Sequence, residues 1–550
     1  MPGNLFSVSK IYSIVMIGII SCSAAVAQLS PDTVSEKILA INDFHGQITT
    51  GLKVSNRPVG GAAILASYLE TAAKGWENRV ILVEAGDMIG ASQPQCALLH
   101  DRPAIMLLNY LNSSVPVIGS VGNHELDKGL SGFRRLIGGD TESFLGNPWH
   151  GADFPLINGN IVDTENGFPV MTPFVINYVP GINVPIAFIS AVLKETPAMV
   201  SATGVAGLKF VDEAKTVNYY VQLLQKLNIH AFVVLLHQGG LQTPYNGWTD
   251  TTKAQPSPDI VNLVSRFDDD VDIVCTAHTH NFTNAMVKNA NGFPILVTQA
   301  YSKGTAYAEI IVTFSKTKND IVAKKARIVT TFGDAGPGLS PDSIIVNHVR
   351  ACSTIVAPLT NRIISRTAIK ITASQNRAGE SLLGDLIADA QRAVMRTDFA
   401  FMNPGGIRAD LDSGNITWGA LYTSQPFSNA MVTMTMTGQQ IYDVLNEQWS
   451  GQSYIKMLQI SGLSYTWDTT LAVGNRVTEV RKGSVAIDKK ANYSVTVNNF
   501  LASGGDNFST FKRGLNKVTG PIDLDVLVKY LQTLPAPISI KRDGRVKVVQ

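Results

Sequence analysis

The stretch Lys37-Ile38-Leu39-Ala40-Ile41-Asn42-Asp43-Phe44-His45-Gly46 decides the fold of this 550-residue chain. An apolar run of strand length stops abruptly at Asn, Asp and His, and a glycine follows. That pattern reads as a buried strand delivering polar side chains at its carboxyl end. The same pattern recurs down the chain. Residues 79–84 lead to Gly86-Asp87, 115–121 to Gly122-Asn123-His124-Glu125, 231–236 to His237-Gln238, and 271–276 to Ala277-His278-Thr279-His280. Between these runs, residues 60–74, 212–227 and 258–267 have helical spacing, so the arrangement is a layered α/β domain. Residues 294–329 are rich in β-branched side chains and read as strands only.

Outward from this core, residues 340–359 read as one helix, opened by Ser340 and Pro341 and closed near Pro358. It serves as a connector to a second α/β segment over 363–547, with helices at 380–396 and 438–448. At the other end, residues 1–27 have the form of a signal peptide. Lys10 precedes an apolar run at 11–20, too short for the roughly 20 residues a membrane span needs, and Ala25-Val26-Ala27 offers a cleavage site. An N-terminal membrane anchor and lipoprotein processing at Cys22 are the alternatives. The signal-peptide form makes the protein one expected to be exported, periplasmic or secreted, and no later stretch reads as transmembrane. The formal net charge of +2 supplies no electrostatic argument for a nucleic-acid partner, and none is expected. Cys96, Cys275 and Cys352 have no metal-site spacing, and Cys275 reads as a small buried hydrophobe.

Ligands on α/β sheets gather at the carboxyl ends of strands, so five segments aim Asp, Asn and His side chains at one rim. Imidazole and carboxylate together suit Zn²⁺, Mn²⁺ or similar cations better than Ca²⁺. Two such cations a few ångströms apart repel, and a shared carboxylate is the natural bridge; Asp87 is the candidate. Side-chain alternation with period two suggests that Asp43 and His45 point the same way, and likewise His278 and His280. A single strand-end Asp or His is more often a hydrogen-bonded cap. Here five of the nine histidines fall in the series, leaving His100, His150, His230 and His348 as structural or surface residues.

The series Asp43-x-His45, Gly86-Asp87, Gly122-Asn123-His124-Glu125, His237 and His278-x-His280 resembles the calcineurin-like metallophosphatases. The longer runs Gly-Asp-Met-Ile-Gly-Ala-Ser from Gly86 and Gly-Asn-His-Glu-Leu-Asp from Gly122 resemble the bacterial 5'-nucleotidase branch. The resemblance implies a layered β-sandwich flanked by helices over 36–335, joined by the linking helix to a smaller α/β substrate-binding domain. It implies two divalent metal ions, one held by Asp43, His45, Asp87 and His280, the other by Asp87, Asn123, His237 and His278. His124 and Asp127 match the family's catalytic dyad; the competing reading of Asp127 is a helix cap. Ala277 departs from the glycine usual before the first His.

In the second domain, Asn403-Pro404-Gly405-Gly406-Ile407-Arg408 follows a strand at 398–402, and its glycines let backbone approach a ligand. Arg408 has the fork geometry to grip phosphate. Gln425-Pro426-Phe427-Ser428-Asn429 and Asn499-Phe500-Leu501-Ala502-Ser503-Gly504-Gly505-Asp506 put two aromatics on separate loops, able to sandwich a base. Taken singly, Phe427 and Phe500 would be core, Arg408 a surface ion pair and Gly504-Gly505 a turn. By resemblance to the 5'-nucleotidase C-terminal domain, Phe427 and Phe500 stack on the base and Asn403 and Asp506 bind base or ribose. Asn429 lies in the same matched segment, and Arg377 is a further phosphate-binding arginine. The expected reaction is removal of the 5'-phosphate from nucleoside monophosphates, by in-line attack of a metal-bound hydroxide and with a hinge motion between domains. A broader hydrolase of UDP-sugars, di- and triphosphates or cyclic nucleotides is the alternative, and an inactive nucleotide-binding protein or sensor is a third. The oligomeric state is left open.

Overall fold

The computed structural model describes residues 32–452 and 454–549, so the signal-peptide reading of 1–27 and the alternative at Cys22 lie outside the described residues. The first domain is a sandwich of two six-stranded sheets. In one sheet Thr33–Ile41, Val80–Glu84, Val117–Ser120 and Leu156–Ile157 run parallel, with Ala306–Ser315 and Asp320–Thr330 antiparallel at the edge. In the other, Pro185–Val192, Ala231–His237, Val271–Thr276 and Pro294–Ala300 are parallel, flanked by Phe174–Tyr178 and Phe282–Lys288.

Period-two alternation explains the layering. Ile38 and Ala40 face inward with Ile81, Val83, Phe188, Val233 and Leu235 to fill the core between the sheets. Their neighbours Leu39, Ile41, Leu82 and Val117 face outward under the helices Ala62–Ala73 and Arg102–Asn112. On the far side, Glu213–Gln225 and Pro258–Val264 cover Ile189, Val234 and Val274. Most of the strands buried on both faces read as unbroken apolar runs and were legible in the sequence for that reason. The helix Arg102–Asn112 and the strands Phe174–Tyr178 and Pro185–Val192 were not among the elements read there.

The helix between the domains is Ser343–Thr360. It starts after Asp342, whose side chain accepts from the Ile345 N–H at 2.7 Å, and not at the Ser340-Pro341 pair read from the sequence. Asp342 also accepts from the Tyr110 hydroxyl at 2.8 Å, tying the helix to the first domain. The second domain is built on a five-stranded sheet in the order Gln459–Ser461, Phe399–Met402, Asn492–Asn498, Ala430–Thr437, Leu515–Ile522. Helices Leu382–Met395, Gly438–Asn446 and Asp523–Leu531 pack on it. Cys96, Cys275 and Cys352 are buried free thiols. No helix among the described residues is long and apolar enough to cross a membrane.

Candidate active site

Asp43 and His45 lie just past Thr33–Ile41, Asp87 past Val80–Glu84, Asn123 past Val117–Ser120, and His278 and His280 past Val271–Thr276; His237 ends Ala231–His237. Parallel strands deliver all seven to one rim. The backbone there is not extended. Asp43, His45, Asp87, His278 and His280 all have positive φ, between 49° and 72°. Non-glycine residues pay for that conformation, and such residues concentrate where a site must be held in one shape. The period-two expectation therefore fails for both x-spaced pairs, because neither continues its strand. Asp43 and His45 still converge, joining His280, whereas His278 joins Asp87 and His237. Ala277 is buried with an ordinary backbone, so the extra methyl is accommodated.

The donor atoms are spaced as ligands of common ions. His45 Nε2 and His280 Nε2 are 3.0 Å apart, His280 Nε2 and Asp43 Oδ1 3.3 Å, and His278 Nδ1 and Asn123 Oδ1 3.0 Å. Two ligands about 2.1 Å from one metal stand roughly 3.0 Å apart at a right angle and roughly 3.4 Å apart at a tetrahedral one. Asp87 Oδ2 stands between the groups, 3.8 Å from His45 Nε2 and 3.1 Å from His237 Nε2. The tautomers also fit. His45 Nδ1 and His237 Nδ1 each lie 2.9 Å from a backbone carbonyl, those of Gly90 and Ala85. A carbonyl only accepts, so each Nδ1 carries the proton and each Nε2 offers a lone pair.

Electrostatics point the same way. Burial would raise Asp87, but His237, His124 and His45 hold it well below the usual carboxylate range, so it is ionised. Burial would lower His237, yet the Asp87 charge overcomes it and pushes the imidazole up to about 10. With no metal, a proton would thus occupy the place a cation takes. Burial, with the His237 charge adding to it, pushes His278 down to about 3, leaving it a neutral donor.

Supporting residues were present in the quoted motifs but had no role read from them. Asn42 donates to Asp43 Oδ2 at 2.7 Å and to the Tyr301 carbonyl at 2.6 Å, fixing the carboxylate. Glu125, 2% exposed, accepts from the backbone N–H groups of Asp87, Ile89 and Gly122 at 3.0, 3.3 and 2.6 Å. It pins the loops that carry Asp87 and Asn123. Gly122 permits this closeness, since a Cβ there would collide with Asp87 Oδ1.

His124 Nδ1 bonds Asp127 Oδ2 at 2.9 Å. Burial would lower this imidazole, but the charges of Asp127 and Asp87 outweigh it and raise its pKa. The cap reading of Asp127 is not what forms: helix Gly129–Gly138 has Lys128 at its N-cap position and no side-chain cap. Across the domain junction Phe427 stacks on His124, with centroids 5.7 Å apart and planes 18° apart. The Arg408 guanidinium lies 6.0 Å from the Phe427 ring. Burial lowers the Arg408 pKa, and Asp87 and Asp127 oppose that shift.

A cleft of about 300 Å³ lies between the domains, lined by Asn123, His124, Asp127 and His278 on one side and Asn403, Arg408, Phe427, Asn429, Phe500 and Asp506 on the other. Asn403 Nδ2 donates to Asp506 Oδ2 at 2.9 Å, and Asn403 Oδ1 accepts from Asn498 at 3.0 Å. Lys456 pairs with Asp506 Oδ1 at 2.8 Å and is buried. Nothing in the sequence pointed to Lys456, which lies fifty positions from its partner. Arg377 is exposed in the loop before Leu382–Met395 and is not among the cleft residues, unlike the other substrate candidates.

Fold and site together define a metal-dependent hydrolase of phosphate esters. The calcineurin-like phosphoesterase family model matches residues 36–282, and the model of the 5'-nucleotidase C-terminal domain matches 356–513. The chain is 33% identical over 527 residues to endonuclease YhcR of Bacillus subtilis, a match covering 94% of this chain and 41% of YhcR. It is 32% identical over 569 residues to cell wall protein Lmo0130 of Listeria monocytogenes, covering 94% of this chain and 70% of that protein. The crystal structure of a 5'-nucleotidase precursor from Thermus thermophilus superposes with a TM-score of 0.77 at 25% identity, covering 94% of this chain and 99% of that one. The chain belongs to the 5'-nucleotidase family, whose members use divalent metal and act on nucleotides.

Proposed function

We propose that this protein removes the 5'-phosphate from nucleoside monophosphates at a centre of two divalent cations, outside the cytoplasm. The observation that carries the reading is the position of Asp87 Oδ2, within 3.8 Å of His45 Nε2 and 3.1 Å of His237 Nε2. Asp43, His45 and His280 would hold one cation and Asn123, His237 and His278 the other, with Asp87 available to both. When bound, the cations lower the pKa of water and neutralise phosphate charge.

The rest falls to the chain's own side chains. His124, oriented by Asp127, donates from Nε2 to charge developing on a phosphoryl oxygen. Arg408 binds a second oxygen. Phe427 and Phe500 receive the base while Asn403 and Asp506 meet its polar edge or the ribose, so that phosphate and base are positioned from opposite domains.

A broader nucleotide specificity is the second reading, favoured by the 33% identity to a protein named an endonuclease. Phosphate release from AMP, ATP, UDP-glucose and 2',3'-cAMP, with chelator and after adding back Zn²⁺ or Mn²⁺, separates the two. The expected result is chelator-sensitive release from AMP, lost in Asp87→Asn along with bound metal. Turnover confined to the cyclic or diphosphate substrates would move the specificity; activity that survives in Asp87→Asn would refute the shared carboxylate.

A further inference from the structure

Outside the cleft, the second domain holds another concentration of carboxylates, two of them buried. Glu380 stands just before the helix Leu382–Met395, Asp385 lies in its first turn, and Asp543 lies on the segment leading into the last strand, Val546–Val549. One carboxylate oxygen from each lies within 4.8 Å of the other two. Glu380 and Asp385 are only 1% and 4% exposed.

The nearby cation does not balance them. Arg545 grips Asp389 with two bonds of 2.8 and 2.7 Å, donates to Asp543 at 2.9 Å and to the Ile460 carbonyl at 2.8 Å, and stays 3.9 Å from Asp385 Oδ1. One guanidinium therefore serves three carboxylates, with Glu380 as a fourth beside them. Glu380 has hydrogen bonds of its own, from the Gly544 N–H at 3.1 Å and the Val546 N–H at 3.4 Å. Asp385 has no N–H or O–H donor: both of its oxygens are buried without one, and its polar neighbours are the Glu380 carboxyl and Arg545 at 3.9 Å. A carboxylate left so is among the most unfavourable arrangements a fold can hold, and a proton or a cation must compensate it. Burial does push the Asp385 carboxyl up to about 8, with Arg545 opposing and Glu380 adding to it. A proton shared with Glu380 would relieve that pair but would not engage Asp543. A cation satisfies the three at once.

We propose that Glu380, Asp385 and Asp543 form a third cation site that takes Ca²⁺ and pins the C-terminal strand to the start of helix Leu382–Met395. The set is all oxygen, with no imidazole or thiolate, which selects a hard cation. Three carboxylates at irregular positions, one of them exposed, leave room for the waters that complete a Ca²⁺ shell, whereas Mg²⁺ demands a near-octahedral cage. The same ion would steady the loop before the helix. There Asn376 Oδ1 accepts from the N–H groups of Ala378, Gly379 and Glu380, each at 3.0 Å, and Arg377 sits in this turn.

The test uses chelator-stripped, desalted full-length mature protein at pH 7. Two signals are followed: the melting temperature against added Ca²⁺, and Tb³⁺ luminescence excited through Trp467, whose indole donates to the Ala378 carbonyl at 3.0 Å. Ca²⁺ is expected to raise the melting temperature by roughly 5 °C. Asp385→Asn and the exposed Asp543→Asn should each remove that rise and the Trp467-sensitised signal, while Asp43→Asn, in the other domain, keeps both. No response to Ca²⁺ in the wild type overturns the site and leaves Asp385 to a shared proton. A rise that survives in Asp543→Asn, or one lost in Asp43→Asn alone, overturns it as well, the latter by placing the ion at the rim of the sandwich.

Discussion

Replacing Phe500 with alanine removes one wall of the proposed base site without touching a proposed metal ligand. The ring lies over Gly505, where a Cβ would come within 2.5 Å of Phe500 Cζ, so backbone and ring are packed as closely as chemistry allows. Stacking of a base on one aromatic side chain is worth about 1–3 kcal/mol, which converts to a loss of about 5-fold to about 150-fold. The contact exists only for substrates that carry a base. Steady-state kcat/KM should therefore fall by that factor for AMP and stay within about twofold for ribose 5-phosphate. Gly505→Ala should reproduce the selective loss by displacing the ring, although Phe500 is still present. An equal fall for both substrates would mean that Phe500 supports the fold instead of the base, and no fall for either would remove the base site from this loop.

Asp127→Asn keeps the shape of the dyad but loses the charge from a 2.9 Å bond. A charge-assisted hydrogen bond is worth about 1.5–3 kcal/mol, so kcat should drop by about 10-fold to about 150-fold with bound metal unchanged by elemental analysis. Glu125→Gln turns an amide toward three backbone N–H groups, and metal retention in a chelator titration should weaken by about 10-fold to about 100-fold. Burial raises the Asp523 carboxyl to about 7, above its unfolded value. The native state then binds more protons between the two values, so this group's contribution to stability is present below the unfolded pKa and lost as pH rises toward about 7. Asp523→Asn should thus melt higher than wild type at pH 8 and show a shallower decline from pH 5 to pH 8 in thermal melts.

Much of the first domain could be read before any coordinates. Strands buried on both faces announce themselves as apolar runs, and a sharp change to Asp, Asn or His marks where a parallel strand meets the rim. Local composition therefore determined the layered α/β class and the order of the seven rim residues, while the pairing of His124 with Asp127 was read from the family resemblance. What composition cannot carry is backbone direction after a strand ends. Positive φ at His278 and His280 sends neighbours two apart into different groups, where alternation had placed them together. Contacts between remote segments were equally invisible. Glu125 organises a loop 38 positions away, Lys456 meets Asp506 fifty positions on, and Arg377, matched by motif, lies outside the cleft lined by its fellow candidates. Side-chain chemistry is written locally and so was legible; which side chains meet depends on how sheets twist and domains pack, and only the folded chain decides it.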